Sequence, residues 1–359
     1  MATSAAVEDS EYRWHYNLEA TLFSHSHNNA FPSRLGQFLH PTRATLALKD
    51  RTRDEEFLWK SRDHRKNRHV KYTPKQDRSR RGKNPLVGIG HMTRLEYWNV
   101  SWWVATTFTL GSIIWVVNGF YSFLPFVDTS FGTSISGIGW SAWTGATIFE
   151  VGSILGVLEA WNRGETASFG WGIRHALGYE NIIQPNGNGV DSIALGSEGK
   201  EGNLKDRHKW IWFPSDPKYW HELGFLAAFT QFWAATIFWI SGFTALPSIQ
   251  DSITTRKGVL DGVFWTPQVV GGTGFIISSS LLLLETQRRW YLPNPESLGW
   301  QIGIWNFIGA IGFTLCGALG YAAQASTKAA YQSSLSTFWG GWAFLIGSVL
   351  QWYESVNSV

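Results

Sequence analysis

Six long apolar runs, nearly free of charge, leave this chain few folds to choose from. They are Trp98–Tyr121, Gly139–Ala160, Glu222–Pro247, Val263–Leu284, Trp300–Tyr321 and Phe338–Trp352. A helix needs about 20 residues to cross a ~30 Å hydrocarbon core, and the last and shortest run reaches that if it begins a few residues earlier. Soluble bundles need charged outer faces on their helices, and these runs have none. Gly and Ser recur inside them, where small residues let spanning helices pack closely. Trp gathers near their ends, at Trp98, Trp102, Trp140, Trp143, Trp265, Trp300, Trp339 and Trp352, the positions of an interfacial belt. The expected fold is an all-α membrane protein with six transmembrane helices.

The mean hydropathy of -0.12 averages two unlike parts, a polar, basic region over residues 1–95 and the apolar remainder. Eighteen of the 30 Lys and Arg precede the first run, seven lie between the second and third, and Arg288 and Arg289 follow the fourth. The opposite side receives Arg256, Lys257 and Lys328. Basic residues stay on the cytoplasmic side, so both termini are expected in the cytoplasm. Residues 1–95 are then a largely disordered cytoplasmic region, 161–221 a cytoplasmic loop and 356–359 a short tail. The chain's start lacks an apolar core behind a basic segment, so no signal peptide is expected. A single cysteine, Cys316, excludes an intrachain disulfide and a cysteine-ligated zinc site.

One stretch returns. "GATIFEVGSILGVLEA" (Gly145–Ala160) is matched by "GGTGFIISSSLLLLET" (Gly271–Thr286) and "GGWAFLIGSVLQWYES" (Gly340–Ser355). In each, a leading Gly (Gly145, Gly271, Gly340) is followed at +4 by Phe (Phe149, Phe275, Phe344). A small pair follows at +7 and +8 (Gly152 and Ser153, Ser278 and Ser279, Gly347 and Ser348), and Glu at +14 (Glu159, Glu285, Glu354). The preceding helices carry a weaker echo, Phe108 with Gly111 and Ser112, Phe238 with Ser241 and Gly242, and Phe313 with Cys316 and Gly317. This pattern predicts three parallel two-helix hairpin repeats, over 96–160, 222–289 and 290–355. The glycines and small pairs let backbones approach, and the Phe fills the groove so formed. The three Glu lie ~21 Å along the helix from the leading Gly. They are expected as boundary carboxylates in reach of water, with Glu159–Arg163 and Glu285–Arg289 as favourable i,i+4 pairs.

The Phe-x-x-Gly-Ser pattern appears as "FTLGS" (Phe108–Ser112), "FEVGS" (Phe149–Ser153) and "FLIGS" (Phe344–Ser348). It resembles the YrhK-like domain, a two-helix membrane module of bacteria and fungi. The resemblance covers residues 96–160 well, the third pair fairly, and the second pair weakly, where Ser replaces Gly. As a whole the chain is similar to fungal multi-pass proteins built from such units. That family is functionally uncharacterised, so the resemblance implies a fold and a membrane location and carries over no catalytic residue.

Catalytic signatures are missing. The ten His lie outside the apolar runs, and His25 and His27 have metal-like spacing without carboxylate or cysteine companions. No metal and no cofactor is expected. The clustered His of membrane hydroxylases, the paired Asp-rich motifs of prenyl transferases, a nucleophile elbow and a phosphate loop are all absent. "NGNGVD" (Asn186–Asp191) reads as a flexible loop. The basic run Arg65–Lys83 reads as a topology determinant that contacts anionic lipid headgroups, at ~1 kcal/mol per residue near the surface. Nucleic acid is not expected as a partner. Lys209–Gly224 mixes aromatic and polar residues as an interfacial segment does. The bilayer is the expected partner, and the basic region and the 161–221 loop are surfaces on which a protein partner could dock.

Polar groups at depth are few. Glu150 lies ten residues after Trp140, ~15 Å along the helix and near the midplane. Gln231 is equally deep in the third run and Asn306 shallower in the fifth. No cation lies inside any run, so Glu150 is expected in a hydrogen-bonding form, with Gln231 as a candidate partner. Its counterparts Ile276 and Leu345 are apolar, so packing does not demand a carboxylate there. Intramembrane carboxylates are functional candidates. Glu150, Gln231 and Asn306 therefore form the candidate ligand- or proton-handling set of a small-molecule or proton-coupled transporter. A non-catalytic membrane scaffold or accessory protein is the alternative, ahead of an enzyme acting on a lipophilic substrate. The hairpins run in parallel, unlike the inverted repeats of many secondary transporters, and the Pro-x-acidic-x-x-basic signature of mitochondrial carriers is missing.

Overall fold

The computed structural model describes residues 22–28, 39, 42–50, 53–66, 85–162, 210–213 and 217–357. Three antiparallel strands come first, β1 (Leu22–Asn28), β2 (Arg43–Asp50) and β3 (Arg53–Lys60), adjacent in that order. β2 and β3 pair from Arg43↔Lys60 to Asp50↔Arg53, and the β1–β2 register slips between Ser24 and Ser26. This sheet adds to the all-α expectation. Strands of seven or eight residues in charged surroundings give too short a periodic signal to stand out from sequence. β3 passes directly into a one-turn helix, α1 (Ser61–Arg65), which is tied back to the sheet where Ser61 N donates to Thr42 O at 2.9 Å. A second short helix, α2, spans Pro85–His91.

Six long helices follow. They are α3 (Val100–Val127), α4 (Ile135–Trp161), α5 (Leu223–Thr244), α7 (Lys257–Thr286), α8 (Leu298–Gly320) and α9 (Thr327–Val356), with the short α6 (Pro247–Thr254) between α5 and α7. Starts are marked by side-chain caps: Asn99 accepts from Ser101 N, Ser134 from Gly137 N and Ser326 from Ala329 N, each closing an orphan helix donor. α7 opens through a π-helical segment, Asp261–Trp265.

Five of the six, α3, α4, α5, α7 and α8, are long and apolar enough to cross a membrane, and the chain is a multi-pass membrane protein. α9 falls below that hydropathy because polar residues flank its apolar stretch on both sides, Gln332 to Ser334 before it and Gln351 and Glu354 after it. Its outer face nevertheless exposes Trp342, Ile346 and Val349, as α3 exposes Leu110, Ile113 and Val117. Each long helix packs on its neighbours in sequence, and α9 packs on α3, so the six close into a ring. Asn357, at the end of α9, bonds His91 at 2.9 Å and donates to Gly88 O at 3.0 Å. Residues 61–66, α2 and the end of α9 thus share one end of the ring.

Counterpart positions on the returning helices meet counterpart partners. A Cβ on Gly145 would stand 2.9 Å from Trp115, on Gly271 2.7 Å from Phe238, and on Gly340 3.0 Å from Phe313. The α3 residue matching Phe238 and Phe313 is therefore Trp115, with Asn118 and Gly119 behind it, and not Phe108. The expected echo is out of register by seven residues. Seven residues are two helical turns, so both candidates lie on one face and sequence cannot choose between them. Phe149 and Phe344 fill the space over Gly111 and Gly309 on the preceding helices, as expected of groove-filling side chains. They also reach the ring axis, where Phe344 stands 5.6 Å from Phe149 and 6.2 Å from Phe275. Trp115, Phe238 and Phe313, 4.8 to 5.6 Å from one another, join this cluster at 6.5 Å to Phe149, 5.8 Å to Phe275 and 5.1 Å to Phe344 respectively.

Candidate functional site: a buried ring of charges above a polar cavity

Glu159, Glu285 and Glu354 occupy the last turns of α4, α7 and α9, each on the face turned toward the ring axis. They do not reach water. Their exposures are 2%, 2% and 4%, which corrects the expectation of solvated boundary charges. What buries them is α1. Arg62, Arg65 and Lys66 are spaced i, i+3 and i+4, so one turn presents three cations on one side, and all three are buried.

The six groups alternate in sign around a closed circuit. Glu354 accepts from Arg62 Nε at 3.0 Å and Nη2 at 2.8 Å, a two-pronged guanidinium contact. Arg62 Nη1 lies 3.9 Å from Glu285 Oε2, which accepts from Arg65 Nη2 at 2.8 Å. Arg65 Nη1 donates to Glu159 Oε2 at 3.3 Å. Lys66 Nζ closes the circuit, 3.6 Å from Glu159 and 3.3 Å from Glu354. Glu159 also accepts from the Ser101 hydroxyl at the start of α3.

Burial by itself would lower the pKa of Arg62. The charge of Glu354 and its hydrogen bonds, followed by Glu285 and Glu159, outweigh that and hold it above the usual arginine range. Arg65 is likewise raised against its burial, by Glu285 and Glu159. Both stay charged. Three positive and three negative groups cancel, which is the condition under which buried charges are tolerated.

Two glycines seat the guanidinium groups. A Cβ on Gly224 would stand 2.6 Å from Arg65 Nε, and one on Gly299 2.6 Å from Arg62 Nε. Gly224 and Gly299 are the second residues of α5 and α8, and Ser101 is the second residue of α3. Three counterpart positions thus hold the circuit from the first helices as three Glu hold it from the second.

Beneath the charges lies a cavity of about 60 Å³, bounded on the axis by Arg62, Arg65, Lys66 and Glu159 on one side and by Phe149, Phe275 and Phe344 on the other. At about 10–15 Å³ of probe-occupied space per water, it holds roughly four to six waters or a small hydrated ion. Its polar lining comes from Ser112, Ser153, Gln231, Asn306, Ser348 and Gln351. Two of the three residues expected to handle a ligand, Gln231 and Asn306, line this space. Gln231 accepts from Ser278 Oγ at 3.3 Å, and Ser278 also donates to Ala227 O at 2.8 Å.

Glu150, the third, is elsewhere. It sits on the seam between α4 and α5, where Thr236 Oγ1 donates to its Oε1 at 2.9 Å, with Ser153 Oγ 3.4 Å from Oε2. Its partner across the seam is Thr236 and not Gln231, because Gln231 lies more than a turn away along α5 and faces the axis. The small pairs mostly spend their hydroxyls on their own helices, Ser153 to Glu150 O, Ser279 to Phe275 O and Ser348 to Leu345 O. Gly152 faces the Phe108 ring and Gly347 faces Asn306.

The expected Glu285–Arg289 pair does not form. α7 ends at Thr286, which removes the helical geometry, and Arg289 donates to Tyr291 at 2.7 Å. Arg163, residues 67–83 of the basic run, "NGNGVD" and the side chains of His25 and His27 lie outside the described residues. Of the interfacial segment, Trp210 is buried against Val100 and Val104. Asn162 at the end of α4 exchanges two hydrogen bonds with the Ile211 backbone at 2.9 and 2.8 Å. Among the described residues, no group of three or more His, Cys, Asp or Glu is arranged to hold a metal.

Sequence reasoning missed the role of Arg62, Arg65 and Lys66, which it placed in a polar tail. The signal was present: three carboxylates at one repeated offset, and three cations within a single turn. No family model, curated protein or solved structure matches this chain.

Proposed function

We propose that this protein is a transporter for a small cation or protonated solute, with its path on the axis of the helical ring. The observation behind this reading is the axial cavity itself, a polar space between the charge circuit, which meets it through Arg62, Arg65, Lys66 and Glu159, and an aromatic barrier. Polar side chains gathered around an open space on the axis suit binding within the membrane. Gln231, Asn306 and the serines supply neutral ligands for an ion stripped of part of its shell, and Glu159, Glu285 and Glu354 supply carboxylates whose charge is balanced here by Arg62, Arg65 and Lys66.

In this reading the bundle is six transmembrane helices built as three parallel hairpin repeats, related to the YrhK-like module. Three aromatic-on-glycine contacts and three axial Glu at counterpart positions support it. The excess of basic residues supports placing the charged end and both termini in the cytoplasm. Glu150, on an outer seam, is then a structural hydrogen-bonding residue and not the titrating group of transport.

The test is flux in reconstituted vesicles under an imposed cation or pH gradient, comparing wild type with Asn306→Leu and Gln231→Leu. Gradient-driven uptake that falls in both variants, while both stay monodisperse in detergent, is the expected result. Absence of flux for inorganic cations, protons and small amines alike would overturn the reading in favour of a scaffold.

A further inference from the structure

We infer that the Arg62–Lys66 turn is a tethered plug, seated in the carboxylate ring of the conduit and withdrawn when the path opens on that side. The inference rests on the transport reading for what passes, but the plug itself is a separate claim about the geometry. Three features set it apart from an ordinary structural ion network. First, its cations come from outside the helical ring, on a one-turn helix too short to hold its shape unaided and joined to the ring's end through side chains. Second, Gly224 and Gly299 leave room for the guanidinium groups, so the plug fits a recess between the ring helices. Third, Arg62, Arg65 and Lys66 line the cavity at this end together with Glu159, so the turn covers it there.

The energetics suit an exchange. A buried ion network gains Coulomb energy but loses solvation, and the two nearly cancel. Leaving three carboxylates bare would be costly, so withdrawal is favourable when another cation takes the place of the plug. The seated guanidinium and ammonium groups thus act as an internal competitor for the cations that the ring would bind.

The plug is tested by accessibility, which needs no knowledge of the solute. Gly156 lines the cavity and a side chain there meets nothing within 4 Å. A Gly156→Cys reporter in a Cys316→Ala background would be exposed, in sealed vesicles, to a cationic, membrane-impermeant methanethiosulfonate on the side of the plug. The expected result is slow labelling in the otherwise native chain and a rise of roughly tenfold in Arg62→Gln/Arg65→Gln/Lys66→Gln, equal to a shift of about 1.4 kcal/mol in the gating equilibrium. If that variant fails to fold because three carboxylates lose their partners, labelling is read in the combination with Glu159→Gln/Glu285→Gln/Glu354→Gln. That combination removes the six charges of the circuit together and holds the plug by weaker neutral bonds. Unchanged labelling in a folded variant overturns the plug. Raised labelling without any cation flux keeps the plug and rejects the transport reading, so the two fail separately.

Discussion

Glu150 and Glu159 stand on the same helix nine residues apart, and the bundle treats them in opposite ways. Glu150 lies on a seam between two helices, half-buried, with a threonine hydroxyl across from it. Glu159 lies on the axis, buried, with a guanidinium, an ammonium and a serine hydroxyl around it. Depth along the helix suggested that the first was the exceptional residue and the second an ordinary boundary charge. The difference shows that the rank of a carboxylate in a membrane bundle follows from what packs opposite it. Two helices offer a seam one polar neighbour, whereas six helices and a plug offer the axis several.

The largest effect should come from breaking the axial circuit. Glu285 bridges Arg62 and Arg65, so Glu285→Ala leaves buried guanidinium charge uncompensated and should destabilise the fold by about 3–5 kcal/mol. Thermal unfolding in detergent reads this loss. A loss no larger than that of the matched Glu150→Ala variant would erase the contrast between axis and seam. Adding Arg65→Ala to Glu285→Ala should recover part of the stability, since the orphaned charge is then gone.

Backbone packing comes next. A Cβ on Gly312 would meet Ser336 O at 2.7 Å and Gly340 Cα at 2.8 Å, and backbone cannot swing aside. Gly312→Ala should cost about 1–3 kcal/mol as overpacking, seen as a lower unfolding temperature. Wild-type stability would show that α8 and α9 are free to separate.

The seam should respond less. Glu150→Leu removes the hydrogen bond to Thr236 and should cost ~0.6 kcal/mol and at most ~1.7 kcal/mol, while Glu150→Gln keeps a polar head and should be close to neutral. Both should retain flux. A folded Glu150→Gln protein that has lost flux would move the working carboxylate from the axis back to the seam.

The smallest stability change pairs with a full functional one. Because Gly156 faces open space, Gly156→Leu should fill the cavity with little change in unfolding temperature, and a glycine removed from a helix interior even contributes a little. Flux should nevertheless be lost. Unimpaired flux in this variant would place the path outside the axial cavity.

Much of the bundle was legible in the residues. Runs of ~20 apolar residues can be satisfied only as helices in lipid, which is why a long helix covers each of the six runs, although α9 begins eleven residues ahead of its run, at Thr327, and α3 runs six residues past its own, to Val127. The repeated Gly, Phe and Glu offsets were legible too, since a helix returns the same side chain to the same face. The register of α3 was not, because Phe108 and Trp115 share that face and only contact with Gly145 selects Trp115. Gln231 and Asn306 could be marked from their polarity alone, while the separation of Glu150 from them could not, since helical rotation about the axis is set by neighbours.

By itself, the sequence determined where the long apolar helices lie and that Glu159, Glu285 and Glu354 would stand near the ends of three of them. Whether those carboxylates would face water or one another was a tertiary matter. It depended on the ring closing through α9 and α3 and on a turn more than thirty residues upstream of the first long helix supplying three cations to the axis. Local sequence encodes helix and periodicity because both arise from neighbouring residues. The partners of a buried charge arise from segments far apart in the chain, Arg62 and Glu354 being 292 residues apart, and only the folded structure brings them together.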